Sequence, residues 1–149
     1  MFKDLLQRGS DKLSELKTDA LKFKSKKFLH AAMSGSALVS FADGSIDQVE
    51  KDKMRVFIEN NPALSIYSRV DVLEAFNEYL SALEMDLDMG EAKAMDALAK
   101  IKGKDDEARL VLRMVVSIGK SDGDFDQSEK AMVIKIGREL GLDANDFID

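Results

Sequence analysis

Apolar side chains recur along this chain at steps of three and four residues, the spacing that places them on one face of an α-helix. A sustained alternation of apolar and polar positions, which would indicate half-buried strands, is absent from the sequence. Glycine and proline are scarce within the periodic stretches. The sequence therefore predicts an all-α protein.

About seven helices can be placed from the apolar stripes and from the residues that begin and end helices. Two of them, at 27–41 and 106–120, are the richest in apolar or small residues, and we expect them to be central. A helix that starts near residue 68 ends at an acidic break, predicted at 86–90. The other predicted helices cover residues 2–24, 47–59, 91–102 and 126–140.

Charge is distributed unevenly along the 149 residues, which carry a net charge of −6. Residues 1–28 contain eight basic and four acidic side chains, so their net charge is +4 and the remainder carries −10. An acidic body repels phosphates, which disfavours nucleic acid as a partner. We therefore divide the chain into a basic amphipathic N-terminal helix, 1–26, and a single helical domain, 27–149.

The residue types that are missing exclude several kinds of chemistry. The chain has no cysteine and one histidine, His30, so disulfides, cysteine-ligated zinc and thiol redox chemistry are excluded. We expect His30 to be a partly buried packing residue. No apolar run is long enough for a transmembrane helix or a secretory signal, and the expected location is cytoplasmic.

A nine-residue motif occurs twice in the sequence, 79 residues apart. Residues 43–51 and 122–130 share six of nine positions, and an apolar stretch precedes each copy. An amphipathic stretch follows each copy. This repeat predicts two helix–corner–helix units, related by a pseudo-two-fold axis, with a helical hairpin at about 68–103 between them.

Helix capping explains most of the repeated motif. Asp47 and Asp126 are placed to cap the helices that follow, and Glu50 and Glu129 stand three residues on, as in a capping box. The Asp-Gly pair that begins each copy is a common turn sequence.

Capping leaves Asp43 and Asp122 unexplained, because a carboxylate at the C-terminal end of a helix meets an unfavourable dipole. Acidic residues at the first, fifth and eighth positions of the motif could group three oxygens around Ca²⁺, Mg²⁺ or Mn²⁺. The spacing differs from that of an EF-hand loop. Pure capping and a divalent-cation site therefore both remain explanations of the motif.

The basic N-terminal stretch also has two interpretations. Its lysines and apolar stripe are typical of a helix that lies on an anionic membrane surface. The four acidic residues within it favour instead a helix that docks on the acidic body or is offered to a partner.

Three segments of the sequence, 26–28, 42–54 and 120–130, together resemble the TerB family of tellurite resistance proteins. The resemblance extends over nearly the whole chain and includes both acidic corners in the same order. It implies about seven helices around a four-helix-bundle core, in which the corners are proposed to bind metal. The metal candidates carried over by position are Asp43, Asp47, Glu50, Asp122, Asp126 and Glu129.

The resemblance also implies a tellurite-resistance and stress-response role, with a TerC-like integral membrane protein and TerD-like proteins as partners. A chain without cysteine is poorly suited to reduce or chelate tellurite itself, which favours a non-catalytic adaptor at the inner face of the membrane. Residues 1–27 would supply any peripheral membrane contact. The alternative is a metal-dependent hydrolase that uses the paired corners, although no general base or phosphate loop accompanies the acids.

Overall fold

The computed structural model describes residues 25–121 and 125–148, and helices dominate both ranges. Seven α-helices and one short 3₁₀ helix, Pro62–Leu64, make up this part of the chain, which contains no strand. The all-α prediction is confirmed; the helix predicted at 2–24 lies outside the described residues. The α-helices are α1 (Lys26–Ser40), α2 (Gln48–Glu59), α3 (Arg69–Met85), α4 (Leu87–Ala99), α5 (Asp105–Lys120), α6 (Gln127–Leu140) and α7 (Asn145–Ile148).

Helix α1 lies at the centre of the core, as its sequence predicts. Eleven of its 15 residues are buried, and it packs against α3, α4, α5 and α6. Small residues allow this close packing: a Cβ built on Gly35 would lie 2.8 Å from Cγ1 of Val115 in α5. Ser34 and Ser36 are fully buried, and each hydroxyl donates to a carbonyl of the same helix. The core can therefore close around α1 without leaving these hydroxyls unpaired.

The acidic break predicted at 86–90 is wrong in extent, because only Asp86 separates α3 from α4. The Asp86 carboxylate accepts a hydrogen bond from the backbone N–H of Met89 at 3.0 Å, so it caps α4 at its first turn. Gly90 lies inside α4, where a Cβ would come within 2.6 Å of the Leu83 backbone. The acidic break predicted over 86–90 included this glycine, which instead permits the close approach of two helices.

The two copies of the repeat contribute unequally to the core. Helix α6 packs against α1, α4 and α5 and buries four residues: Val133, Ile136, Gly137 and Leu140. Helix α2 buries only Met54 and Ile58 and packs mainly on α3. The symmetry expected from the sequence therefore holds for the order of elements and is incomplete in the packing.

Candidate binding cleft

The first corner joins α1 to α2, and local hydrogen bonds fix its shape. Gly44 has a φ of 95°, a conformation that favours glycine. The Asp43 carboxylate accepts from the backbone N–H of Ser45 at 3.2 Å, and Asp47 caps α2 by accepting from the N–H of Glu50 at 2.7 Å. Asp43, which capping left unexplained, thus has a turn-forming role of its own.

The second corner joins α5 to α6 and is described from Phe125 onward, since residues 122–124 lie outside the described ranges. Asp126 accepts from the backbone N–H of Glu129 at 2.8 Å, and the Glu129 side chain accepts from the N–H of Asp126 at 3.4 Å. Both bonds of the predicted capping box are therefore present. Capping accounts for these two residues whether or not they also meet a ligand.

The two corners face one cleft, although 79 residues separate them in the sequence. The cleft has a volume of about 700 Å³ and opens between α2, the end of α1 and the second corner. Whether the corners approach each other could not be decided from the sequence; in the structure, described residues of both corners line the same cleft. Its described lining is Val39, Ser40, Asp43, Ile46, Glu50, Lys53, Met54, Val56, Phe57, Ile118, Ser121, Asp126 and Glu129.

The cleft combines an apolar floor with an acidic border. Val39, Met54 and Ile118 form the floor and are at most 8% exposed. Four carboxylates, from Asp43, Glu50, Asp126 and Glu129, stand against the single ammonium of Lys53 in the described lining. Such a surface suits an apolar ligand group that carries positive charge.

Crowding of negative charge is visible at Glu50. Its partial burial raises the pKa of this carboxyl above the ordinary value of 4.5, and the nearby charges of Asp47 and Asp43 raise it further. A raised carboxyl pKa means that the folded protein makes the negative charge at this position less favourable than water does. A cation near Glu50 would relieve this cost.

The six candidate metal ligands are only partly brought together. Asp43, Glu50, Asp126 and Glu129 line the cleft; Asp47 caps α2 outside the lining, and Asp122 lies outside the described residues. The oxygen-only donor set has the chemistry of a Ca²⁺ or Mg²⁺ site. In the described part of the chain, however, no three acidic or histidine side chains are close enough together to hold an ion. This geometry gives no support to the two-metal hydrolase alternative.

Sequence reasoning missed the apolar half of the cleft. Val56 and Phe57 of α2 line it, and Val56 is 58% exposed. The sequence did indicate this apolar surface. Helix α2 has apolar residues outside the face that contains its two buried residues, Met54 and Ile58.

His30 takes part in a side-chain network outside the cleft. Its Nδ1 lies 2.6 Å from the hydroxyl of Tyr79 and 3.5 Å from Oε2 of Glu78. Burial and the neighbouring Glu78 charge raise the pKa of Tyr79 to about 12. The half-buried imidazole packs edge-on against the Tyr79 ring, in agreement with the packing role expected for it.

No helix in the described part of the chain is both long and apolar enough to cross a membrane.

Comparison with known proteins identifies the family of this chain. The family model "Tellurite resistance protein TerB" matches residues 29–149. A curated relative, the Tellurium resistance protein TerB of an Alcaligenes species, is 27% identical over 100 residues, which cover 67% of this chain and 82% of the relative. No solved structure matches the chain. Since the family match covers most of the sequence and includes both acidic corners, the chain belongs to the TerB family of tellurite resistance proteins.

Proposed function

We propose that this chain acts in tellurite resistance as a non-catalytic adaptor, and that the cleft between the corners is its binding surface. The observation that carries the proposal is the convergence of two distant acidic corners on one apolar floor. The chain offers no thiol for tellurium chemistry, since its sequence contains no cysteine. The residues of the chain therefore support a role in binding other molecules and not in catalysis.

A divalent cation is part of the proposal. Ca²⁺, Mg²⁺ or Mn²⁺ would be drawn to the corners, for which the candidate ligands are Asp43, Asp47, Glu50, Asp122, Asp126 and Glu129. The raised pKa of Glu50 supports this, because a bound cation would relieve the crowded charge. Asp47 and Asp126 cap helices, and the Asp43 carboxylate accepts from the N–H of Ser45, so all three have local roles that compete with ligation. Asp43 and Asp122 stay the preferred candidates because each follows the end of a helix, where a carboxylate meets an unfavourable dipole.

The partners proposed for the adaptor are those that the family resemblance implies. They are a TerC-like integral membrane protein and TerD-like proteins, met in the cytoplasm at the inner face of the membrane. The basic residues of 1–27 would add a peripheral contact with anionic lipid.

Membrane recruitment tests the adaptor role directly. The full chain is mixed with membranes that contain or lack a TerC-like protein, and the bound fraction is measured by sedimentation. We expect recruitment that depends on the TerC-like protein and falls in the cleft variant Glu50→Gln/Glu129→Gln. A control of equal charge change, Glu74→Gln/Asp96→Asn, alters exposed acids outside the cleft and should bind as wild type. Equal recruitment of both variants would exclude the cleft as the adaptor surface.

A further inference from the structure

We propose that the cleft between the two corners binds a short helix of a partner protein, and that this helix carries lysine or arginine beside an apolar face. The proposal rests on the proposed function, in which this cleft is the binding surface, and it adds the chemistry of the segment that is bound. Three features of the described residues support it: the apolar lining, the charge of the lining and the absence of a sheet edge.

The apolar part of the cleft favours a partner with an apolar face. Val39, Met54 and Ile118 form a floor that is at most 8% exposed, whereas Val56 in the same lining is 58% exposed. Removing exposed apolar surface from water is favourable, so a covering apolar face would stabilise a complex here. An inorganic cation alone would leave this surface in water.

The charge of the cleft favours an apolar partner that is also basic. The described lining holds the carboxylates of Asp43, Glu50, Asp126 and Glu129 and the ammonium of Lys53, a net charge of −3. A neutral or acidic occupant would exclude water from these carboxylates without supplying positive charge, which costs free energy. A lysine or arginine of the occupant would supply that charge through charge-assisted hydrogen bonds.

Acidic and apolar side chains follow one another along α2. Glu50 lies in the first turn of this helix, where burial and the charges of Asp47 and Asp43 raise its pKa. Phe57 lies seven residues later in the same lining, about 10 Å along the helix axis. A partner helix that packs along α2 would match this arrangement with a basic residue and an apolar residue about seven positions apart.

The described backbone favours a helical partner over an extended one. An extended peptide commonly binds by adding a strand to the edge of a sheet, and residues 25–121 and 125–148 contain no strand. A helix pairs most of its own backbone N–H and C=O groups, so side-chain contacts are enough to hold it. A helix is therefore the form in which a segment can cover this cleft without losing backbone hydrogen bonds.

Synthetic peptides test this chemistry on the full chain. The probe is a peptide of about 15 residues, long enough for marginal helix formation, with a stripe of Leu, flanking Lys and Ala elsewhere. One control peptide replaces every Leu by Gln and keeps the charge; the other replaces every Lys by Glu and keeps the apolar face. Fluorescence anisotropy is recorded in chelator, so that binding does not depend on the proposed cation. We expect only the Leu/Lys peptide to bind, with an affinity that falls as salt is added.

Two matched pairs of variants test whether the peptide binds in the cleft. Val56→Ser should weaken the Leu/Lys peptide about fivefold, whereas Val70→Ser, at a valine that is 64% exposed outside the cleft lining, should bind as wild type. Glu50→Gln should weaken it about two- to fivefold, and Glu74→Gln, at an exposed position of α3 outside the lining, should bind as wild type. Circular dichroism of each variant checks that its helices are kept.

Several results would overturn the proposal. If the Gln/Lys control binds as tightly as the Leu/Lys peptide, attraction between opposite net charges explains the binding and no apolar face is needed. Tight binding of the Leu/Glu control, or equal losses in the two variants of either pair, would also refute it. Peptide binding that weakens as the protein concentration rises would mean that a second copy of this chain covers the cleft.

The adaptor role is judged by a separate measurement. Recruitment to membranes with a TerC-like protein that falls in Glu50→Gln/Glu129→Gln, while no peptide binds, would retain the adaptor role and refute the basic helix. Peptide binding with the expected losses, but recruitment unchanged by the same double variant, would support the basic helix and remove the cleft from the adaptor role.

Discussion

The ring of Phe125 occupies the space that a side chain on Gly119 would need. A Cβ built on Gly119 would lie 2.1 Å from Cε2 of this ring, far inside contact distance. The equivalent residues of the first copy, 79 positions earlier, are Ser40 and Ile46. The smaller isoleucine is accompanied by a residue with a side chain, and the larger phenylalanine by glycine. The first corner thus combines Ser40 with Ile46, and the second combines the smaller Gly119 with the larger Phe125.

This relationship predicts a specific loss and its rescue. Gly119→Ala forces the Phe125 ring to move, and overpacking of this kind destabilises a protein by about 1–3 kcal/mol. Phe125→Ile in the same chain should recover part of the loss, as the first copy tolerates Ser40 with Ile46. Urea unfolding of the two single variants and the double variant measures the coupling. Additive single effects would show that the contact does not carry the cost.

A second prediction separates capping from cation binding at Asp126. Serine can cap a helix but is a poor ligand for Ca²⁺, whereas alanine does neither. In chelator, Asp126→Ala should lose about 1 kcal/mol of stability and Asp126→Ser much less. Thermal unfolding measures both, with the same changes at Asp47 as the matched pair. Equal losses for serine and alanine would contradict the capping role.

Added cation then tests ligation with the same proteins. A divalent ion that binds the native state and is present at 100 times its dissociation constant raises the unfolding free energy by about 2.7 kcal/mol. Asp43→Asn and Asp122→Asn should reduce this increase. No change in melting temperature with Ca²⁺, Mg²⁺ or Mn²⁺ in the wild type would leave capping as the full explanation of the motif.

Glu50 gives a pH-dependent prediction. Its pKa is raised in the folded state, so the protonated form contributes stability below its unfolded pKa, and this contribution is lost as pH rises through the folded value. Glu50→Gln should therefore raise the melting temperature at neutral pH in chelator, and the difference should shrink as pH falls below 4.5. A decrease at neutral pH would contradict the charge crowding inferred here.

The two tyrosines give a second pH-dependent prediction, at alkaline pH. Burial raises the pKa of Tyr67 above 10.0 and, with the Glu78 charge, that of Tyr79 to about 12. The stability they contribute is complete below pH 10 and is lost as pH rises towards 12. Near-ultraviolet absorbance of tyrosinate in Tyr67→Phe should show one late transition, from Tyr79. A transition at the ordinary value of 10.0 would mean that Tyr79 is not buried beside Glu78 in solution.

The order of the helices was predictable from the sequence wherever an apolar stripe at helical spacing began and ended at residues that cap helices. Ser68 and Gly141 mark a helix start and a helix end as expected, and Gly141 has the positive φ that favours glycine. The error at 86–90 arose because Gly90 has no local signature that distinguishes a helix breaker from a contact point. That distinction depends on Leu83, which lies across the helix interface.

The candidate site was predictable in its parts and not in its assembly. Residue spacing identified Asp47 and Asp126 as caps, since capping depends on atoms within three residues. The cleft depends on how α2 packs relative to the second corner, and no local pattern encodes this. For the same reason Phe57 was assigned no role, although it lines the cleft with Glu50.

The cleft between the corners has a consequence for how the chain can be divided. One wall comes from residues 39–57 and the other from residues 118–129, so a cut in the loop at Gly103 would place half of the cleft on each fragment. The fragments also share the core, because α1 packs against α5 and α6. Reassembly of two separately expressed fragments would thus rebuild the cleft and the core in one event, and a probe bound in the cleft would report on that reassembly.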